Sequence, residues 1–163
     1  MIRACKTYRW RLFLVLFALT GLSPSLTAQI QVSASALKRI AVRDEVELSY
    51  EEHGQGTPVV FVHGSLSDGS YWHDQLAHFA EAGFRAIAYS RRYNVPNRNK
   101  PRPGYSAVVD ADDFAALIQK LHLGKVDVVG HSYGALTALF LAVRHPELSM
   151  MQGGRLWAEF LPA

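Results

Sequence analysis

Val126-Asp127-Val128-Val129-Gly130-His131-Ser132-Tyr133-Gly134-Ala135-Leu136 is the stretch whose reading decides the fold. Its first four residues form a short, β-branched, largely apolar run, the composition of a strand buried within a sheet. A helical run follows from about Ala135 to His145, and Pro146 stops it. Between them stands Gly130-x-Ser132-x-Gly134. A chain that turns from strand to helix within about four residues packs its backbone tightly, and glycine on both sides of the serine removes the Cβ atoms that would collide. Ser132 Oγ is then held at the tip of the turn and at a helix N-terminus. Backbone N–H groups and the helix dipole favour a developing negative charge there.

Working outward, the rest of the chain alternates strand and helix. Ile40-Ala41-Val42 and Val46 to Tyr50 are short alternating runs split by Arg43-Asp44-Glu45, which predicts an antiparallel hairpin. A Gly- and Pro-containing loop, Glu52 to Pro58, leads to Val59-Val60-Phe61-Val62. That run is uniformly apolar, as in a strand covered on both faces. It ends in His63-Gly64-Ser65-Leu66-Ser67-Asp68. Asp68 to Ala82 has helical spacing and stops at Gly83; Phe84 to Tyr89 is the next strand; Val109 to Leu121 is a helix with acids in its first turn. Ser90 to Tyr105 is a loop with five Arg or Lys and no acid, read as a solvated basic loop, with an anion-attracting mouth as the alternative.

Strand, Gly130-x-Ser132-x-Gly134 and helix, together with His63-Gly64 ending an earlier strand, resemble the α/β-hydrolase superfamily. The resemblance covers roughly Ile40 to Leu148. It implies an α/β fold: a mostly parallel sheet with helices on both faces. It implies Ser132 as nucleophile, Gly130 and Gly134 as the elbow glycines, and His63 and Gly64 as the oxyanion loop. The backbone N–H groups of Ser65 and Tyr133 would form the oxyanion hole. His63 is expected to order this loop by bonding nearby backbone rather than to act as base. Ser65 and Asp68 are expected to serve turn chemistry and capping. Trp72 would face either the pocket or the core. Serine at the elbow disfavours dehalogenases and epoxide hydrolases of this superfamily, which place aspartate there. A small ester-like or acyl substrate is implied, with ester hydrolases, non-haem haloperoxidase-like enzymes and carbon–carbon bond hydrolases all open.

The family's triad order is serine, acid, histidine. Only 31 residues follow Ser132, and their one histidine is His145, which closes the helix that Ser132 opens. A catalytic acid and base are therefore not expected within this chain. The fold is expected to be truncated after that helix, with residues 149–163 an atypical tail and the Val126–Val129 edge unpaired and prone to aggregate. A degenerate, non-catalytic hydrolase domain is the competing reading. No Cys-, His- or Glu-based metal-ligand spacing and no phosphate-binding glycine loop is present, so no metal and no cofactor are expected.

The chain has 163 residues, 49% of them apolar, enough for one domain with a core. Its formal charge is +3, but Arg3, Lys6, Arg9 and Arg11 supply four positives before residue 12. Without them the charge is about −1, so the basic balance does not point to nucleic acid. Those positives, the apolar run Leu12 to Leu19 and Ser23 to Ala28 predict a signal peptide over 1–28, followed by a linker over 29–37 and the hydrolase-like domain over 38–148. A secreted or periplasmic protein follows, with an N-terminal membrane anchor as the alternative. The apolar run is shorter than the roughly 20 residues a spanning helix needs, so no stable membrane span is expected in the mature chain. Cys5 is the only cysteine, and it lies inside the signal segment.

Overall fold

The computed structural model describes residues 37–150. The signal segment and most of the linker and tail lie outside the described residues.

The order is β1 (Lys38–Arg43), β2 (Val46–His53), β3 (Thr57–Val62), a 3-10 turn (Gly69–Trp72), α1 (His73–Glu81), β4 (Phe84–Tyr89), α2 (Ala107–Lys120), β5 (Asp127–Gly130) and α3 (Tyr133–Arg144). The five strands form one sheet in the order β1-β2-β4-β3-β5. The sheet is mixed. β1–β2 and β2–β4 are antiparallel, whereas β3 pairs in parallel with β4 and β5. The chain reaches β4 and β5 through helical crossovers, as parallel neighbours require.

The apolar runs Val59–Val62 of β3 and Ala86–Tyr89 of β4 are explained by two separate cores. Val60 and Val62 of β3 and Ile87 and Tyr89 of β4 point to one face, where they meet Phe114, Leu117 and Ile118 of α2 and Leu141 of α3. Val59, Phe61, Ala86 and Ala88 point to the other face, against Trp72 and Leu76 of α1 and its preceding turn. Period-two alternation places successive side chains on opposite faces, so a strand covered twice shows no polar residues. Each large side chain removed from water here contributes about 1.5–3 kcal/mol. Trp72 belongs to this core, tilted against Phe61 at 5.2 Å between ring centroids.

Several elements differ from expectation. The helix read from Asp68 begins as α1 only at His73, because Asp68 Oδ1 accepts from Ser70 N–H and Oγ and winds a tighter turn first. The strand before the elbow runs from Asp127 to Gly130, while Val126 is paired differently. The expected unpaired edge is corrected at that residue. Val126 N–H donates to Leu148 O and Met150 N–H donates to Val126 O, both at 3.0 Å, forming a parallel bridge to Ser149. The start of the tail thus takes a strand-like path.

The loop after β4 carries the largest correction. Arg91 and Arg92 are not solvated but buried, at 3% and 8% exposure. Arg92 makes two bonds of 2.6 Å to Asp113, and Arg91 Nη1 donates to Asp110 Oδ2 at 2.9 Å. The acids in the first half of α2 therefore answer these two cations rather than only the helix dipole. Further along, Asn97 and Asn99 bond the backbone of β2. Ser49 N–H donates to Asn97 Oδ1 at 2.8 Å and Glu47 N–H to Asn99 Oδ1 at 2.9 Å. Amide side chains thereby satisfy β2 donors beyond the end of β4.

Candidate active site

β5 delivers Ser132 to the end of the sheet, and α3 begins at the next residue. Ser132 has φ 52° and ψ −119°, a region that L-residues rarely adopt, and it is exposed. Such a backbone costs on the order of 1–3 kcal/mol and persists only where the surroundings enforce it. The surroundings are the two glycines. A Cβ on Gly130 would lie 2.7 Å from Gly134 O and Ala135 Cα, and one on Gly134 would lie 2.1 Å from Val62 O. The turn is pressed onto the end of β3, and His131 N–H donates to Val62 O at 3.0 Å.

The same close approach brings His63-Gly64 to the elbow. A Cβ built on Gly64 would sit 3.4 Å from Ser132 Cβ and 3.0 Å from His131 Nδ1. Tyr133 N–H opens α3 and is among the first-turn donors that an α-helix leaves without an intrahelical acceptor. Ser65 follows Gly64 on an exposed loop whose carbonyls at Ser65 and Ser67 accept from Asn94 Nδ2.

His63 is fully buried. Nδ1 bonds Gly64 O at 2.8 Å, and Nε2 accepts the Arg91 N–H at 3.0 Å. These partners assign the neutral tautomer with the proton on Nδ1. Burial pushes the ring's pKa down to about 4; the bond to Gly64 opposes this, and the nearby Arg91 cation adds to it. With both nitrogens engaged, the ring cannot take a proton from Ser132.

Arg91 is the residue that sequence reasoning missed. Its Nη2 donates to Gly64 O at 2.9 Å, and its guanidinium lies 4.5 Å from the centre of the Tyr133 ring. Nη1 also reaches Tyr105 Oη at 3.1 Å, and that hydroxyl donates to Asp110 at 2.6 Å. One cation therefore ties α2 to the His63-Gly64 loop and to the residue after Ser132. The Gly64 carbonyl is gripped by two donors. Because the peptide is planar and trans, fixing that carbonyl fixes the opposite direction of the Ser65 N–H. Burial raises the Asp110 pKa, against the bonds from Tyr105 and Arg91 that lower it. Burial, followed by the bond to Asp110, pushes the Tyr105 hydroxyl upward. The sequence signal was present as adjacent cations at 91–92 and acids three apart at 110 and 113, but pairing them requires the fold.

Among the described residues His73 and His145 are the histidines that meet carboxylates, His145 facing both Asp112 and Glu147, and neither is at Ser132. His145 Nε2 meets Asp112 at 3.0 Å, but it follows twelve residues of α3, about 18 Å of helix. His73 Nδ1 meets Glu51 at 3.2 Å. Glu51 is level with Val129 through Ala88 and Phe61, three strand spacings away, which is about 14 Å.

Residues 57–150 match the family model described as alpha/beta hydrolase fold. The chain belongs to the α/β-hydrolase fold family. It is 42% identical over 95 residues to a non-heme chloroperoxidase of Kitasatospora aureofaciens, covering 56% of this chain and 33% of that protein. It is similar in structure to an epoxide hydrolase from Vigna radiata, with TM-score 0.67 and 26% identity, covering 71% of this chain and 38% of that one. It is also similar to an (E)-2-(acetamidomethylene)succinate hydrolase, with TM-score 0.66 and 30% identity, covering 71% and 42%. The chain spans about a third of the length of the curated relatives it matches. Relatives of this hydrolase-fold chain thus carry several different activities on small molecules. No helix among the described residues is long and apolar enough to cross a membrane.

Proposed function

We propose that this chain carries the nucleophile half of a serine hydrolase acting by acyl transfer on a small ester-like or related substrate. The observation that carries the reading is the backbone of Ser132, φ 52° and ψ −119°, at an exposed tip against Gly64. In this reading Ser132 Oγ attacks the substrate carbonyl carbon, and the Ser65 and Tyr133 N–H groups bind the oxygen that becomes negative. His63 and Arg91 hold the Gly64 carbonyl so that the Ser65 donor is oriented before substrate arrives. The described residues place no general base and acid partner at Ser132, and this reading assigns both roles to residues outside them. Serine at the elbow separates this chemistry from that of the aspartate-dependent members of the family.

Labelling of the full-length protein, with its base and acid in place, by a fluorophosphonate probe tests the reading, with Ser132→Ala as control. Labelling that disappears in the variant is the expected result. Labelling that survives the substitution refutes Ser132 as the nucleophile. A folded chain that takes no label favours the second reading, a non-catalytic hydrolase-fold protein, for which the observation is the lack of any described histidine–carboxylate pair near Ser132. Residues 1–28 add the proposal of export, checked by finding the chain without them outside the cytosol; intact chain in the cytosol refutes it.

A further inference from the structure

Glu51, His53 and His73 lie on the α1 face of the sheet, away from Ser132, and each offers one ligand atom within 4.8 Å of the others. The fold explains the meeting. Glu51 and His53 are two apart on β2 and so share a face. Their register partners are Ala88 and Ala86, both of which point toward α1. His73 is the first residue of α1 and comes down on the same spot. The spacing Glu-x-His on a strand, completed twenty residues later, escapes any search for helical metal motifs.

We infer that these three side chains form a binding site for a divalent transition cation of the Zn²⁺ type. Two imidazoles and a carboxylate are a donor set that such cations accept, with the fourth position left to water or another ligand. The Glu51 Oε2–His73 Nδ1 separation of 3.2 Å is close to the roughly 3.3 Å between ligands on a tetrahedral zinc with bonds of about 2.0–2.1 Å. His53 Nε2 is buried without a hydrogen-bond partner. An orphan polar atom of this kind is unfavourable, and a cation would satisfy it. The His53 ring stands edge-on to the His73 ring at 6.1 Å, so closing the set needs rotation of side chains and no movement of the strand. Glu51 and His73 also line a cavity of about 370 Å³ with Asp68 and Ser70, which gives the open position access from solvent. Occupancy would tie β2 to the start of α1. Tyr71, two residues before His73, stacks on His131 at 5.3 Å, so the tie would also steady the segment beside the elbow.

The test is titration of the EDTA-stripped full chain with Co²⁺, followed by its visible d–d absorption, and then displacement by Zn²⁺. One equivalent of Co²⁺ with nitrogen–oxygen coordination is expected, displaced by one equivalent of Zn²⁺. His73→Ala and Glu51→Gln alter residues at the surface end of the cluster and should each weaken binding at least tenfold with unchanged far-UV circular dichroism; His53→Asn should do the same. His78→Ala and Cys5→Ser should bind as the unmodified chain does. The inference is overturned if no saturable binding is seen, or if binding survives both His73→Ala and Glu51→Gln.

Discussion

Lowering the pH should weaken this fold through one side chain, His63. In the unfolded chain its ring titrates near 6.5, and in the folded chain near 4, chiefly because it is buried. A proton added to Nε2 would also confront the Arg91 N–H that this nitrogen accepts. The folded state therefore binds fewer protons than the unfolded state between those two values, so stability rises with pH across that window and falls as pH drops through it. At pH 7 both states are nearly neutral at this ring. By pH 5 the unfolded ring is almost fully protonated and the folded ring is not, which removes about 2 kcal/mol; by pH 4 the loss reaches about 3 kcal/mol. A domain of this size has only about 5–15 kcal/mol of stability, so the effect is large. Urea unfolding followed by tryptophan fluorescence at pH 7, 6, 5 and 4 measures it. His63→Gln supplies the reference, because other groups titrate in both chains and only the difference belongs to His63. The expected result is a loss about 2 kcal/mol greater in the unmodified chain between pH 7 and 5. Parallel profiles for the two chains would refute the reasoning, as would an NMR titration of the His63 ring with a midpoint above 6.

Substitutions at four positions probe the remaining supports of the site. Gly134→Ala would place a Cβ 2.1 Å from Val62 O and 2.7 Å from His63 O; neither acceptor can rotate away, so thermal unfolding should show a loss of about 3 kcal/mol or more. Ser132→Gly should be more stable than Ser132→Ala by about 1 kcal/mol in denaturant unfolding, because only glycine relieves the positive φ while both remove the hydroxyl; equal stabilities would show that the elbow stores no strain. Asp113→Ala leaves Arg92 buried without its two 2.6 Å bonds and should cost about 3–5 kcal/mol, whereas Arg92→Met with Asp113→Leu should recover most of that loss.

The loop from Ser90 to Tyr105 shows where one-dimensional reading runs out. Counted along the chain, five cations without an acid describe a solvated surface. In space, two of them fill the gap between β4 and α2, and Arg91 reaches on to Gly64 and Tyr133. Charge composition reports what a segment carries and not what it faces. The cluster of Glu51, His53 and His73 was hidden for the same reason, since a strand pair and a helix start have no fixed spacing in sequence.

The sequence by itself determined the order of strands and helices, the hairpin, the doubly covered Val59–Val62 strand and the turn at Gly130-x-Ser132-x-Gly134. Those features arise from local rules: apolar period, glycine's lack of a Cβ, and proline and glycine as stops. Only the tertiary structure decided which acid neutralises which arginine, that Gly64 rests against Ser132 with its carbonyl held from two sides, that the tail begins beside Val126, and that three potential metal ligands converge. These depend on long-range packing, in which residues tens of positions apart are brought together by burial of the two sheet faces, and no local propensity encodes that.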